Sequence, residues 1–248
     1  MTMHPKLDQA FTSKNALKII SGLNNFNRDR VAQVVKAAEA GGATFVDIAA
    51  EPNLVRYIRS LTNLPICVSA VEPELFVDAL KAGADLIEIG NFDSFYAQGR
   101  RFEAPEVLNL TKQTRALLPD VTLSVTVPHI LSLDEQVELA SALVDAGANI
   151  IQTEGGTSIH PTHPGVQGLI EKAAPTIAAA YSIAQEVAVP VLCASGLSSV
   201  TAPMAIAAGA SGVGVGSAIN QLDSEVAMVA QVRSLVEALV NNPAKAII

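Results

Sequence analysis

The sequence predicts an α/β fold, a (β/α)8 TIM barrel of the phosphate-binding type, and three observations predict it. A small residue followed by Gly-Ala recurs at 41–43, 82–84, 146–148 and 208–210, each time between a helical pattern and a strand-like run. A helix that ends on glycine and feeds a buried strand is the αβ connection of a parallel sheet. The repeats stand roughly 40 to 65 residues apart, the span of one or two βα units. Counting the strands between them gives eight. The 248 residues match the ~250 typical of this barrel as one domain, here 1–248. Finally, the last two strands end in Gly/Ser-rich sequence, where such barrels hold phosphate.

The expected strands are 18–23, 44–49, 65–70, 85–90, 121–127, 149–154, 190–195 and 212–218. Helical periodicity falls at 28–40, 52–61, 73–82, 104–117, 133–146, 172–187, 199–208 and 223–240. Pro52, Pro73 and Pro105 suit first-turn positions, and Ser132 with Glu135 fits a capping box. Residues 5–15 read as a short helix plugging the barrel from below. Two βα connections are long, 90–104 and 155–168; such loops are either functional or inserted surface loops.

Bulk properties narrow the classes. Half the residues are apolar, ample for one core. The most apolar stretch, Ala173–Gly196, contains Gln185, Glu186 and Pro190, which argues against a spanning helix. The N-terminal MTMHPKLDQAFTSKN has no apolar h-region and carries Asp8 without Arg, unlike signal or transit peptides. Cys67 and Cys193 each fall in a strand and read as reduced core residues. A net charge of −8 without a basic run disfavours nucleic acid and anionic membrane as partners. A small phosphorylated ligand is the expected partner, and self-association into a homo-oligomer is left open.

Lumen and helix layers alternate along barrel strands. Aligning the repeats on their glycines puts Asp47, Glu88, Gln152 and Gly214 at one lumen level, with Val46, Ile48, Ile87, Ile89 and Ile151 facing the helices. The next level holds Ala49, Gly90, Glu154 and Gly216, and Ser69, Ser124 and Thr126 are expected to join the lumen. Carboxylates there are either a structural hydrogen-bond network or acid–base groups with raised pKa values. Glu154 and Glu88 are the acid–base candidates, Glu154 because strand ends on this face host catalysis. Asp47 and Gln152 are candidate substrate contacts.

The CASGLSS end of strand 7 and VGVGSAI end of strand 8 supply Ser195, Gly196, Gly214, Gly216 and Ser217 for a phosphate, with Ser217–Ile219 as the first turn of a short helix. The other reading is that these glycines only permit tight packing. His129, His160 and His163 follow strands 5 and 6. His129 is a third catalytic candidate, and His160 or His163 would be carried by a lid at 155–168. No metal motif supports HPTH as a ligand pair, so no metal is expected. Arg100 and Arg101 either clamp a ligand anion or stand solvated. No lysine falls at an upper strand end, and Lys18 is assigned to the lower side, which counts against Schiff-base chemistry.

EIGNFDSFYAQGRRF, TRALLPDVTLSVTVPH, IIQTEGGTS and CASGLSS…GVGVGSAI resemble the hypothetical chloroplast open-reading-frame twenty-three family over nearly the whole chain. The resemblance implies a cyanobacterial cytoplasmic or plastid stromal protein and carries over no reaction. More distantly, strands 7–8 look like those of ribulose-phosphate-binding and flavin-dependent barrels, an analogy of fold alone. The reading is a barrel binding or acting on a small phosphorylated metabolite, as an enzyme of isomerase or lyase type using metal-independent acid–base chemistry. The alternatives are an oxidoreductase with flavin mononucleotide (FMN) as cofactor and a non-catalytic ligand-binding or regulatory protein.

Overall fold

Gly42, Gly83, Gly147 and Gly209, the glycines of the four repeats, all take left-handed backbone with φ between +91° and +113°. Each ends a helix where a side chain would be strained and turns the chain into a strand. A computed structural model describes residues 3–96, 98–155 and 160–241. The first half contains α1 (Pro5–Thr12), β1 (Ala16–Gly22), α2 (Arg28–Gly41), β2 (Phe45–Ala49), α3 (Pro52–Arg59), β3 (Ile66–Ala70), α4 (Pro73–Lys81) and β4 (Leu86–Ile89). Then come α5 (Asp93–Tyr96), α6 (Ala104–Leu117), β5 (Leu123–Thr126), α7 (Leu133–Asp145), β6 (Ile150–Gln152) and α8 (Gly165–Glu186). The chain continues with β7 (Val191–Ala194), α9 (Ala202–Ala207), β8 (Gly212–Val215), α10 (Ser217–Asn220) and α11 (Glu225–Val240). The strands pair in chain order, all parallel, and β8 closes on β1. This is the expected (β/α)8 barrel.

The local start signals hold. Ser132 and Glu135 form a reciprocal capping box on α7, and Pro52, Pro73 and Pro105 occupy first turns. Val46, Ile48, Ile87, Ile89 and Ile151 are buried in the main apolar core with helix residues such as Val35, Leu54, Val107 and Ile183. The lower lumen is a second cluster. Leu7 and Phe11 of α1 pack under Phe45, Cys67, Leu86, Ile150 and Leu192, one lumen-facing residue from each of five strands. The plug expected from residues 5–15 is therefore present as α1.

Three boundaries differ from the sequence reading. β1 begins at Ala16 rather than Lys18, so Lys18 is an interior strand residue paired with Gly214 and Phe45. β6 ends at Gln152, leaving Glu154 two residues beyond it. α8 begins at Gly165, seven residues before the expected start, with Pro164 as its N-cap residue. Gly168 explains why this glycine-rich segment can be helical: a Cβ there would lie 2.1 Å from the His163 carbonyl oxygen. No helix among the described residues is long and apolar enough to cross a membrane.

Candidate functional site

The middle of the barrel is a closed polar network. Lys18 Nζ donates to Glu88 Oε2 at 2.7 Å and Gln152 Oε1 at 3.0 Å, and lies 3.8 Å from Asp47 Oδ2. Ser124 Oγ donates to Glu88 Oε2 at 2.7 Å, and Gln152 Nε2 donates to Glu88 Oε1 at 2.9 Å. Ser69 Oγ donates to Asp47 Oδ1 at 2.5 Å. Lys18, Asp47 and Glu88 are fully buried. Asp47, Glu88 and Gln152 thus meet at one level, as the glycine alignment requires.

Burial alone would discharge these groups. Burial pushes the Asp47 carboxyl up to about 6, against the opposing pull of Lys18 and with the help of Glu88. For Lys18, burial works to lower the pKa, but the carboxylates of Asp47 and Glu88 outweigh it and hold the ammonium above its ordinary value. This corrects the placement of Lys18 on the lower side: an extended side chain from an interior position of β1 reaches the lumen centre. A protonated, paired amine is still not a nucleophile. Glu88 is corrected as well. Both its oxygens accept hydrogen bonds, and it does not line the cavity above, so it belongs to the network.

Asn91 roofs this network. Its Nδ2 faces Asp47 Oδ2 at 3.2 Å, Ser69 Oγ at 3.0 Å and Glu88 Oε1 at 3.2 Å. It holds φ +62°, and Ser195 holds φ +83°. Non-glycine residues in this region carry strain of order 1–3 kcal/mol that the surrounding contacts must hold in place. Both line a cavity of about 770 Å³ at the C-terminal mouth, the face where barrels of this fold place their sites.

Glu154 is buried on one wall of the cavity. Its Oε1 accepts the Asp93 amide at 2.9 Å. Its Oε2 accepts the Tyr96 hydroxyl at 3.0 Å, the His129 amide at 3.4 Å and pairs with His129 Nδ1 at 3.0 Å. Tyr96 meets the His129 ring edge-on, centroids 5.0 Å apart, and Asp93 Oδ1 lies 3.6 Å from His129 Nδ1. For His129, burial opposes the charge, but the Glu154 hydrogen bond and the two carboxylates outweigh it and raise the imidazole above 6.5. Burial and the Glu154 carboxylate raise the Tyr96 phenol, which stays a donor. Asp93, His129 and Glu154 offer ligand atoms within 4.8 Å of one another. The hydrogen bonds already converging on Glu154 would compete with a cation there.

The adjoining wall, on β7 and β8 beside β6, is the Gly/Ser-rich corner. Ser195, Gly196, Gly216 and Ser217 line it, as expected. The amides of Ser217 and Ala218 open α10 and have no acceptor within their own helix. Lys172 of α8 also lines the cavity and is its one cation. Its side chain packs on Gly196, where an added Cβ would lie 3.0 Å from Lys172 Cγ. Among the described residues its ammonium has no hydrogen bond or ion pair. Gly214 departs from the expectation. It does not line the cavity, and a Cβ there would lie 2.9 Å from Ala194 Cβ and 3.2 Å from Ile20 Cδ1. Its smallness serves barrel packing.

The outlying candidates lie elsewhere. Arg100 pairs with Glu106 and stacks over Phe102, 4.7 Å from the ring centroid, and Arg101 is exposed outside the cavity. The α5 turn draws Tyr96, rather than these arginines, toward the site. His163 pairs with Glu171 and does not line the cavity; nor does the exposed His160. Of the expected lid, residues 156–159 lie outside the described residues, and 165–168 form the first turn of α8. The sequence reading did not single out Lys172, Asn91, Asp93 or Tyr96. The NFDSFY string carries the last three, and only the helical start of α8 could have pointed to Lys172.

Fold and site together define a closed (β/α)8 barrel with a cavity at its C-terminal mouth that is lined by Lys172, Asp93 and Glu154. Residues 3–245 match the family described as "Protein of unknown function (DUF561)", and the chain belongs to that family. The "Uncharacterized protein ycf23" of Cyanophora paradoxa is 48% identical over 232 residues, covering 92% of this chain and 93% of that protein. Its namesake from Porphyra purpurea is 42% identical over 98% of this chain and 91% of its own length. Among solved structures, the tryptophan synthase α subunit of Legionella pneumophila superposes with a TM-score of 0.66 at 14% identity, covering 95% and 98% of the two chains. The (S)-3-O-geranylgeranylglyceryl phosphate synthase of Thermoplasma acidophilum gives 0.61 at 15% identity over 96% and 99%. Thiamine phosphate pyrophosphorylase of Pyrococcus furiosus gives 0.60 at 18% identity over 93% and 98%. At these identities the likeness is one of fold.

Proposed function

We propose that this barrel binds a small phosphorylated metabolite and acts on it by acid–base chemistry of isomerase or lyase type. The phosphate sits against Gly196, Gly216, Ser217 and Lys172. The observation that carries this reading is Lys172, a half-buried residue whose ammonium has no partner among the described residues and whose side chain packs on the left-handed Gly196 backbone. A cation beside the Gly/Ser-rich backbone at the ends of β7 and β8 favours an anion. The Thermoplasma acidophilum barrel, in complex with its substrate sn-glycerol-1-phosphate, holds a ligand of this class on the same fold.

Beside this corner, Glu154 is the group that faces the ligand, with His129 behind it. The Glu154 hydrogen bond and carboxylate favour the charged imidazole of His129, so this pair can take a proton from a ligand carbon or oxygen and return it. Asp93 and Tyr96 fix the carboxylate. Catalysis would thus rest on Glu154 and His129, and Glu88 and Asp47 would support the floor. The test is a thermal melt with a saturating phosphate ester, because a ligand held only by the native state stabilises it. The ester raises the midpoint in the intact protein and not in Lys172→Met. An equal rise in both proteins refutes the assignment of the anion corner.

A further inference from the structure

We propose that the ligand in this cavity is the phosphate ester of a polyhydroxylated chain of simple-sugar size, rather than of a flat heteroaromatic or a prenyl chain. The proposal rests on the phosphate reading and names the rest of the molecule. Small-molecule sites are ordinarily lined by hydrophobic and aromatic side chains with a few polar anchors. Among the described residues no aromatic side chain lines this cavity, and the apolar side chains that do are Ile20, Leu23, Ala194 and Leu197. Among these residues a flavin or pyridine ring finds no aromatic face to stack on, and a prenyl chain meets only these four apolar side chains.

The polar groups are held in alternating roles by the structure beneath them. Asn91 turns its Nδ2 into the network, which leaves its Oδ1 as an acceptor. Thr126 Oγ1 accepts from Gln152 Nε2 at 3.1 Å, so its own proton is left to donate. Ser21 Oγ accepts from Asn25 Nδ2 at 3.1 Å and likewise keeps a donor. Ser195 Oγ donates to Asp93 Oδ2 at 3.3 Å and keeps its lone pairs. Fixed donors and fixed acceptors distributed over one cavity suit a ligand whose groups each do both, and the hydroxyl is that group. Glu154 then meets a carbinol or its carbonyl, where moving a proton interconverts the two.

The experiment is titration calorimetry with the full chain and five probes: pentitol 5-phosphates (ribitol, arabinitol and xylitol), the free pentitols, n-pentyl phosphate, FMN and inorganic phosphate. The expected result is that at least one pentitol phosphate binds about tenfold or more tighter than n-pentyl phosphate, the scale of one or two hydrogen bonds. Thr126→Val narrows that ratio. Equal or tighter binding of n-pentyl phosphate, or binding of FMN tighter than that of the ribitol phosphate it carries as its side chain, overturns the proposal while the phosphate corner stands, provided Lys172→Met weakens all phosphorylated probes. Binding of the free pentitols as tight as their phosphates, unaffected by Lys172→Met, overturns the phosphate reading instead. No binding by any probe overturns both.

Discussion

Lys18 Nζ and Glu88 Oε2 lie 2.7 Å apart at the centre of the barrel, both fully buried. Seventy residues separate them in the chain, and the closure of β1 to β4 brings them together. Replacing a buried pair with apolar groups can be neutral, but removing one partner leaves the other uncompensated. Lys18→Met is therefore expected to destabilise the fold by about 3–5 kcal/mol at neutral pH. Urea unfolding should show the loss, and Lys18→Met with Glu88→Gln should recover part of it. A loss under about 1 kcal/mol for the single variant would mean the network is solvated.

Asp47 sets a pH window. Its carboxyl is raised from 3.8 to about 6 in the fold. A raised acid stabilises the native state when protonated, so its contribution is fully present below about 3.8 and declines as pH rises through about 6. Asp47→Asn should flatten the stability profile between these values. An unchanged slope would place the titrating group elsewhere.

His129 gives a second window of the same sign. Its contribution is fully present below 6.5 and is lost as pH rises through the higher folded value. Glu154→Gln removes the hydrogen bond and charge that raise it, leaving burial and Asp93. The His129 midpoint, read by NMR from the ring protons, should fall in that variant. A midpoint that stays put would detach His129 from Glu154.

Gly216→Val tests the corner sterically. An added Cβ at 216 would meet the Ile20 carbonyl oxygen at 3.4 Å, an ordinary contact, so the variant should fold. Its methyl groups would occupy the cavity edge, and the melting shift produced by a phosphate ester should vanish. A surviving shift would place the anion away from α10.

If the protein is a catalyst of the proposed kind, Glu154→Gln should keep phosphate binding and lose turnover by roughly 10²-fold or more. The assay would use the tightest pentitol phosphate's parent sugar phosphate, followed by exchange of its carbon-bound hydrogen with deuterated solvent. Undiminished exchange would remove Glu154 from the chemistry.

The even-numbered strands were legible because a glycine fixes their phase. Counting five residues from Gly42, Gly83 and Gly147 lands on Asp47, Glu88 and Gln152, and the hydrogen bonds join them. β1 has no such marker. Lys18 stood at an assumed strand edge, and a two-residue error moved it from the rim to the interior. Glu154 was found, but not the turn of α5 that brings the Asp93 amide and Tyr96 hydroxyl to it, because four helical residues inside a loop have no periodicity to read. Lys172 was hidden by Gly165, Gly168 and two prolines, which look like loop until Gly168 is seen to pack against the His163 carbonyl. Gly214 and Gly216 were alike in sequence; only the neighbours of the missing Cβ separate them.

The α1 plug makes the lumen a blind tube. Leu7 and Phe11 cork its lower end, so solvent reaches the buried charges from the mouth, past Asn91. A ligand seated there would be a stopper as well as a substrate. While it stays, Asp47 is cut off from bulk water at the mouth. A change of pH outside would then reach Asp47 once the ligand has left.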